Sequence, residues 1–341
     1  MTTPTVSNVS GTIATGQTLT ITGTNMVNLN TTNWLAALTN NQGSFETAFA
    51  AADLPNADGW VMADGSPTQT RTSAIKLFDA NSYLSHHAGA EAANHTSMFY
   101  NSSFAATSPP LYVGLYVRMD LSGGDGSYPD NYRKIIGFYG GTPANRAFVD
   151  WNGNAGSAFT QIKITNAVDG TAYGAIPGGV FLQNRWWWVE AKVPSGAPNN
   201  HQVWLNNSEV INVNWTVSPD GTAADLEFDI NHCCTGAGYD CNNYMDGLVV
   251  STARILPASV IEIGNNSDYA TATKVYQFPE LLSNTSNQCI CDLTGLGAGP
   301  YWMWVTNNLN ERSAAFSLSG GGQISKRRRI KAGSQSRWVT D

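Results

Sequence analysis

With 341 residues, the chain exceeds the usual size of one domain and points to two. Apolar residues make up 42%, enough for proper cores, whereas charged residues are only 13%, about half the usual share, which argues against a charge-rich helical enzyme. The net charge of −7 divides unevenly: the last 22 residues carry Lys326, Arg327, Arg328, Arg329, Lys331 and Arg337 against Asp341, leaving a +5 tail on a −12 body that would repel nucleic acid.

The polar surface must come from Asn, Thr, Ser and Gln, with 33 glycines serving turns, a mix suited to short strands and to extracellular or particle surfaces. Met1-Thr2-Thr3-Pro4 leads straight into strand-like sequence without a basic or apolar leader, so no secretory signal is expected. No run of about 18 apolar residues occurs, so no membrane span is expected either. A surface composition without an export signal suits a virion protein, made inside a host cell and exposed by assembly and lysis.

In chain order, residues 4–24 read as strand, turn, strand. Leu19 and Ile21 alternate with Thr18, Thr20 and Thr22, and Gly16-Gln17 makes the turn. From 33 to 256 follow many short strands, with Thr47 to Ala52 as the one candidate helix. In Leu111 to Met119 the residues Leu111, Val113, Leu115, Val117 and Met119 share a face. Further strands are predicted over 134–139, 147–151, 159–164, 185–193, 202–207, 225–230 and 244–255. After these come 259–264, 290–293, a Gly-rich turn at 295–300, and strands at 301–306 and 314–318.

The opening Pro4-Thr5-Val6-Ser7-Asn8-Val9-Ser10 and Gly16-Gln17-Thr18-Leu19-Thr20-Ile21-Thr22-Gly23-Thr24-Asn25 resemble the start of an IPT/TIG immunoglobulin-like domain. The turn from Leu293 through Gly299-Pro300-Tyr301 to Val305, and the closing Ser313 to Leu318, resemble its end. The resemblance implies one small sandwich from 1–32 plus 257–319, split by an insertion at 33–256 and followed by a basic tail at 320–341. Within the insertion, Arg185-Trp186-Trp187-Trp188-Val189-Glu190, Val203-Trp204-Leu205-Asn206 and Tyr244-Met245-Asp246-Gly247 through Arg254-Ile255 resemble the concanavalin A-like jelly rolls. Their polysaccharide-lyase-like and phage lectin-like members are the nearest in pattern. The fold class expected is therefore all-β, an immunoglobulin-like sandwich carrying an inserted jelly roll.

That resemblance implies either glycan cleavage or glycan binding. Related hydrolases use E-x-D-x-x-E on one strand, which places a nucleophile and a general acid on one face. Here Glu227-Phe228-Asp229 is followed by Ile230, Asn231 and His232, so the third carboxylate is replaced. Lyases pair a Tyr or His base with groups that neutralise a uronate. His232, Tyr239, Tyr244, Arg133 and His201 are candidates, but a chain poor in cations outside its tail suits such a substrate badly. Trp186 and Trp188 alternate to the face opposite Trp187 and are candidates for stacking on sugar, with sheet packing as the competing use.

Five cysteines, Cys233, Cys234, Cys241, Cys289 and Cys291, are open to disulfides within or between subunits, to free buried thiols, or to a metal beside His232. His86, His87 and His95 read as surface histidines. Asp150-Trp151-Asn152-Gly153-Asn154 begins like a calcium loop, but its twelfth position is Gln161. No cofactor is expected, and structural calcium stays open.

The sequence thus leads to a non-enzymatic structural and adhesive protein of a phage particle, as capsid decoration or tail-associated module. Its expected partners are other virion subunits, further copies on a lattice and a host surface glycan. The basic tail is either a solvated, disordered terminus or an arm that docks on an acidic neighbouring subunit. The alternatives are a polysaccharide lyase with an accessory domain and a bacterial adhesin, secreted or held at the cell surface.

Overall fold

Every second residue of Leu111–Asp120 is apolar, and the strand buries Val113, Leu115, Val117 and Met119 on one side. That period of two governs the whole molecule, since among the described residues every regular element is a strand. The computed structural model describes residues 3–26, 60–62, 68–77, 82–87, 98–101, 111–120, 132–139, 146–153, 159–166, 168–177, 181, 183–193, 199–216, 225–229, 241–251, 253–255, 257, 260–281, 285–307, 311–318, 328–332 and 335–339.

The chain opens with β1 (Thr5–Ser10) and β2 (Thr18–Thr24). Next come β3 (Trp60–Met62), β4 (Thr68–Thr72), β5 (Ser82–His87), β6 (Met98–Asn101), β7 (Leu111–Asp120), β8 (Tyr132–Tyr139) and β9 (Arg146–Asn152). They are followed by β10 (Gln161–Asn166), β11 (Gly170–Ala175), β12 (Trp187–Val193), β13 (Asn199–Leu205), β14 (Ser208–Trp215), β15 (Asp225–Asp229) and β16 (Cys241–Ser251). The C-terminal third adds β17 (Val260–Gly264), β18 (Lys274–Tyr276), β19 (Phe278–Leu281), β20 (Ser286–Ile290), β21 (Trp302–Thr306) and β22 (Phe316–Ser317). A last hairpin joins β23 (Arg328–Ala332) to β24 (Gln335–Val339).

Two seven-stranded antiparallel sheets run in the orders β11-β10-β9-β8-β15-β6-β3 and β14-β13-β12-β7-β16-β5-β4. Between them lies one apolar core. Ile136, Phe138, Val149, Ile162 and Ile164 from the first sheet meet Val113, Leu115, Val189, Ala191 and Val203 from the second. Phe181 stacks on Trp187 at 5.4 Å, and Trp151 and Phe278 meet that indole edge-on at 5.8 and 5.0 Å. Two four-stranded sheets, β1-β2-β20-β19 and β18-β17-β21-β22, enclose a second core of Leu19, Ile21, Cys289, Ile261, Ile263, Met303 and Val305.

The N- and C-terminal thirds share one of these sheets. β2 pairs with β20 from Thr18↔Ile290 to Thr22↔Ser286, and Gln288 Nε2 donates to Thr20 Oγ1, 268 positions away, at 3.2 Å. The chain passes between the two small sheets at buried Gln277. Its amide nitrogen donates to the carbonyls of Val275 and Asp292, while its oxygen accepts from the Asp292 N–H. A buried amide with all three partners in place costs nothing for its burial and fixes the crossover.

Several departures from the sequence expectations have plain causes. The strand expected at 290–293 lies earlier, at β20, because Asn287, Cys289 and Cys291 point inward while Ile290 does not. Within the calcium-like segment, Asp150, Trp151 and Asn152 belong to β9: Trp151 sits in the core, Asp150 faces Lys163 at 3.7 Å, and Asn152 donates to Gln161 across the β9–β10 pair, while Asn154 lies outside the described residues. The basic tail contains a hairpin, with Arg328, Arg329 and Lys331 on β23. Lys326, Arg327 and the helix candidate at 47–52 lie outside the described residues.

Candidate functional site

Strand β12 sorts its side chains to two faces. Trp187, Val189 and Ala191 enter the core between the large sheets, and Trp188, Glu190 and Lys192 point the other way. All three tryptophans of the triplet are nevertheless buried. Trp186 and Trp188 join Tyr116, Tyr244, Leu77 and Ile255 in the second apolar cluster, with Trp188 5.0 Å from Tyr116. Of the two stacking candidates, Trp186 and Trp188 are covered, which is the competing use in sheet packing, and Tyr244, a candidate lyase base, is buried in the same cluster. Gly114 makes the arrangement possible, since a Cβ there would stand 2.3 Å from Trp188 Cζ2.

Other sequence candidates fall as follows. His201 is buried and lies 4.8 Å from Trp215, so it faces core and not substrate. Arg133 belongs to β8, Glu227 and Asp229 to β15, His86 and His87 to β5, and Cys241 opens β16, all placed here by their backbones. His232, Tyr239, His95, Cys233 and Cys234 lie outside the described residues. Cys289 and Cys291 are free, buried thiols in this structure, one of the uses the sequence left open. Both are buried in the small core, two positions apart, a spacing that bridges only with strain. Burial first, and Asp292 second, push the Cys291 thiol up to about 11. Among the described residues no group of three or more His, Cys, Asp or Glu side chains could hold a metal ion.

Beyond Trp188 the same outward face turns polar. Register places Glu190 opposite Trp204 and Gly114, and Lys192 opposite Gln202 and Tyr112. Gln202 in turn faces Asn212, and Asn200 faces Asn214. The turn from β13 to β14 is Asn206-Asn207, both with positive φ (47° and 69°), as a two-residue hairpin on a right-twisted sheet requires. Asn206 Oδ1 also accepts the Trp188 N–H at 3.0 Å, tying the turn to β12.

The exposed part of this face is a directed hydrogen-bond network. Lys192 Nζ donates to Asn200 Oδ1 at 3.3 Å and to Gln202 Oε1 at 3.1 Å. Asn200 Nδ2 donates onward to Asn212 Oδ1 and Asn214 Oδ1 at 2.7 and 3.1 Å. Gln202 Nε2 and Asn212 Nδ2 both donate to the Glu209 carboxylate, at 2.5 and 3.0 Å. A cation at one end and an anion at the other orient every amide between them. The result is a flat, pre-ordered field of amide and hydroxyl-compatible groups beside the half-buried Tyr112 ring.

Behind this field lies a buried ion pair. Glu190 is fully buried; its Oε1 accepts the Ile255 N–H at 2.8 Å, and its Oε2 stands 3.4 Å from Arg254 Nε. Desolvation pushes its carboxyl up to about 7, against the opposing pull of Arg254 and the Ile255 N–H. Arg254 also lies over the Trp204 ring at 4.3 Å and donates to Asn207 Oδ1 at 2.8 Å. Burial and the nearby Glu190 raise the Tyr112 hydroxyl, so it stays protonated at neutral pH. Glu190 is sealed from solvent, so this carboxyl organises the face and does not touch a ligand.

Sequence patterns identified β12, β13 and β16 but gave no hint of the Lys192-to-Glu209 network. The signal that could have found it was Asn and Gln at 200, 202, 212 and 214, all of one parity and so on one face of a hairpin.

No protein-family model and no curated protein matches the chain. Among solved structures, it is similar to an endo-β-1,4-glucuronan lyase from the fungus Trichoderma reesei, at 9% identity and a TM-score of 0.41, over 62% of this chain and 93% of that one. A conserved carbohydrate esterase from the Shiga toxin-encoding bacteriophage phi24B aligns at 12% identity and 0.41, over 65% and 97%. The binding domain of botulinum neurotoxin serotype G aligns at 11% and 0.38, over 72% and 62%. None of these likenesses carries the other protein's function to this chain.

Proposed function

We propose that this chain is a non-enzymatic glycan-binding protein of a phage particle, which presents the polar face of β12–β14 to surface saccharides. In this reading the small sheets are an IPT/TIG-like sandwich made from both chain ends, and the large sheets are a concanavalin A-like jelly roll inserted between them. The basic hairpin β23–β24 docks on an acidic neighbouring subunit, and many copies on one lattice turn weak contacts into avidity.

The observation that supports glycan binding most is the amide network running from Lys192 to Glu209. Side-chain amides and a carboxylate held in one orientation match sugar hydroxyls, which donate and accept at once. Preorganisation removes much of the ordering cost that weakens polar recognition. The test is binding of the whole protein to an immobilised glycan panel, with each ligand afterwards assayed for unsaturated or reducing ends. Retention on at least one glycan without new ends supports the proposal, whereas turnover of any bound glycan contradicts its non-enzymatic part.

A further inference from the structure

We infer that the saccharide taken by the β12–β14 face is a neutral, extended polysaccharide lying across the strands, one sugar to a strand, and not a polyuronate or a sialylated chain. This deepens the glycan-binding reading above and rests on it.

Charge is the first argument. Within the exposed network Lys192 and Glu209 cancel, joined through the amides of Gln202, Asn200 and Asn212. Arg254 turns inward, held by Glu190, Asn207 and the Trp204 ring. Even with Glu190 protonated, that guanidinium stays committed to Asn207 and Trp204. A chain of acidic sugars needs a repeating series of uncommitted cations, and on a protein of net charge −7 the described residues of this face offer none. Asn200, Gln202, Asn207, Asn212 and Asn214 instead supply neutral donors and acceptors.

Geometry is the second argument. Tyr112, Lys192, Gln202 and Asn212 occupy one register row across β7, β12, β13 and β14. Adjacent strands are about 4.8 Å apart, so the row spans about 14 Å. That step is comparable with the rise of one pyranose ring in an extended, ribbon-like polysaccharide. A chain laid along the row would meet one polar side chain per ring, with the Tyr112 ring as the stacking surface at one end. Asn200 and Asn214, one row on, reach the hydroxyls along its flank.

The experiment is calorimetric titration of the full chain with three oligosaccharide series of two to six sugars: β-1,4-linked glucose, β-1,4-linked N-acetylglucosamine, and alginate. The inference expects affinity for a neutral series to rise up to about four sugars, the width of four strands, and then to level off. Gln202→Ala and Asn212→Ala should each weaken that binding about three- to tenfold, the loss of one or two hydrogen bonds, with native near-UV spectra retained. Tyr173→Ala, on β11 of the other large sheet, should leave it unchanged. Tightest binding of alginate, collapsing as salt rises, would overturn the neutral inference and leave the glycan reading standing. Disaccharides binding as tightly as hexasaccharides would overturn the crossing geometry. Failure of all three series to bind would overturn both.

Discussion

Raising the pH through neutrality should destabilise this protein, and Glu190→Gln should remove most of that effect. Burial, the largest cause, pushes the Glu190 carboxyl up to about 7 in the folded chain, against an ordinary value of 4.5. A carboxyl whose proton is held more tightly when folded stabilises the fold fully below the unfolded value. That contribution is lost as the pH rises through about 7. A shift of that size corresponds to about 3 kcal/mol between pH 4 and pH 9, at about 1.4 kcal/mol per pH unit. The figure is an upper bound, because the Arg254 side chain is 34% exposed and gains from solvent what it does not gain from Glu190. Glutamine keeps an oxygen for the Ile255 N–H but carries no titrating proton. Hydrogen exchange at the Ile255 amide and urea midpoints, measured from pH 5 to 9 at constant ionic strength, provide the readout. Wild-type protection should fall across that range while the variant stays nearly flat. Equal pH slopes for the two proteins would refute the assignment of the dependence to this carboxyl.

Gly114→Ala should lower stability by about 1–3 kcal/mol, the usual range for overpacking, because the new methyl group meets the Trp188 ring. Thermal melts with near-UV circular dichroism would show it as a lower Tm and a changed tryptophan signal. Cys289 and Cys291 should resist alkylation at pH 8 in the folded protein and react once it unfolds, since both are buried and burial raises the Cys291 thiol. Mass spectrometry of iodoacetamide-treated samples with and without urea checks this. Deleting 320–341 should leave the melting curve of the remaining sandwich unchanged and reduce incorporation into particles, scored by mass spectrometry of purified virions. Unchanged occupancy would reject docking by the basic hairpin.

Strands were most legible where alternation was strict. β7, β9, β12 and β21 carry apolar residues at every second position, and these residues fill the two cores. β11 was not legible, because its Gly-Thr-Ala-Tyr-Gly-Ala has no large inward side chain. Only glycine fits at 174, because the Val210 carbonyl passes 2.4 Å from where a Cβ would stand. β14 was not among the expected strands, because its Asn212 and Asn214 are poor strand formers, yet they form the outward face of a hairpin. The pairing of β2 with β20 had no local signal, because the strand partners are too distant in sequence for any local pattern to join them. The tryptophan triplet shows the limit of composition: alternation correctly separates Trp187 from its neighbours, but only the fold reveals that the opposite face is also covered.

The polar face can be tested most directly by its own footprint. Hydrogen–deuterium exchange of the intact protein, with and without saturating oligosaccharide, should show new protection confined to peptides spanning 187–193 and 199–215, with a smaller effect at 111–120. Protection appearing instead over 161–175 or 274–306, with 199–215 unchanged, would contradict the assignment of binding to β12–β14.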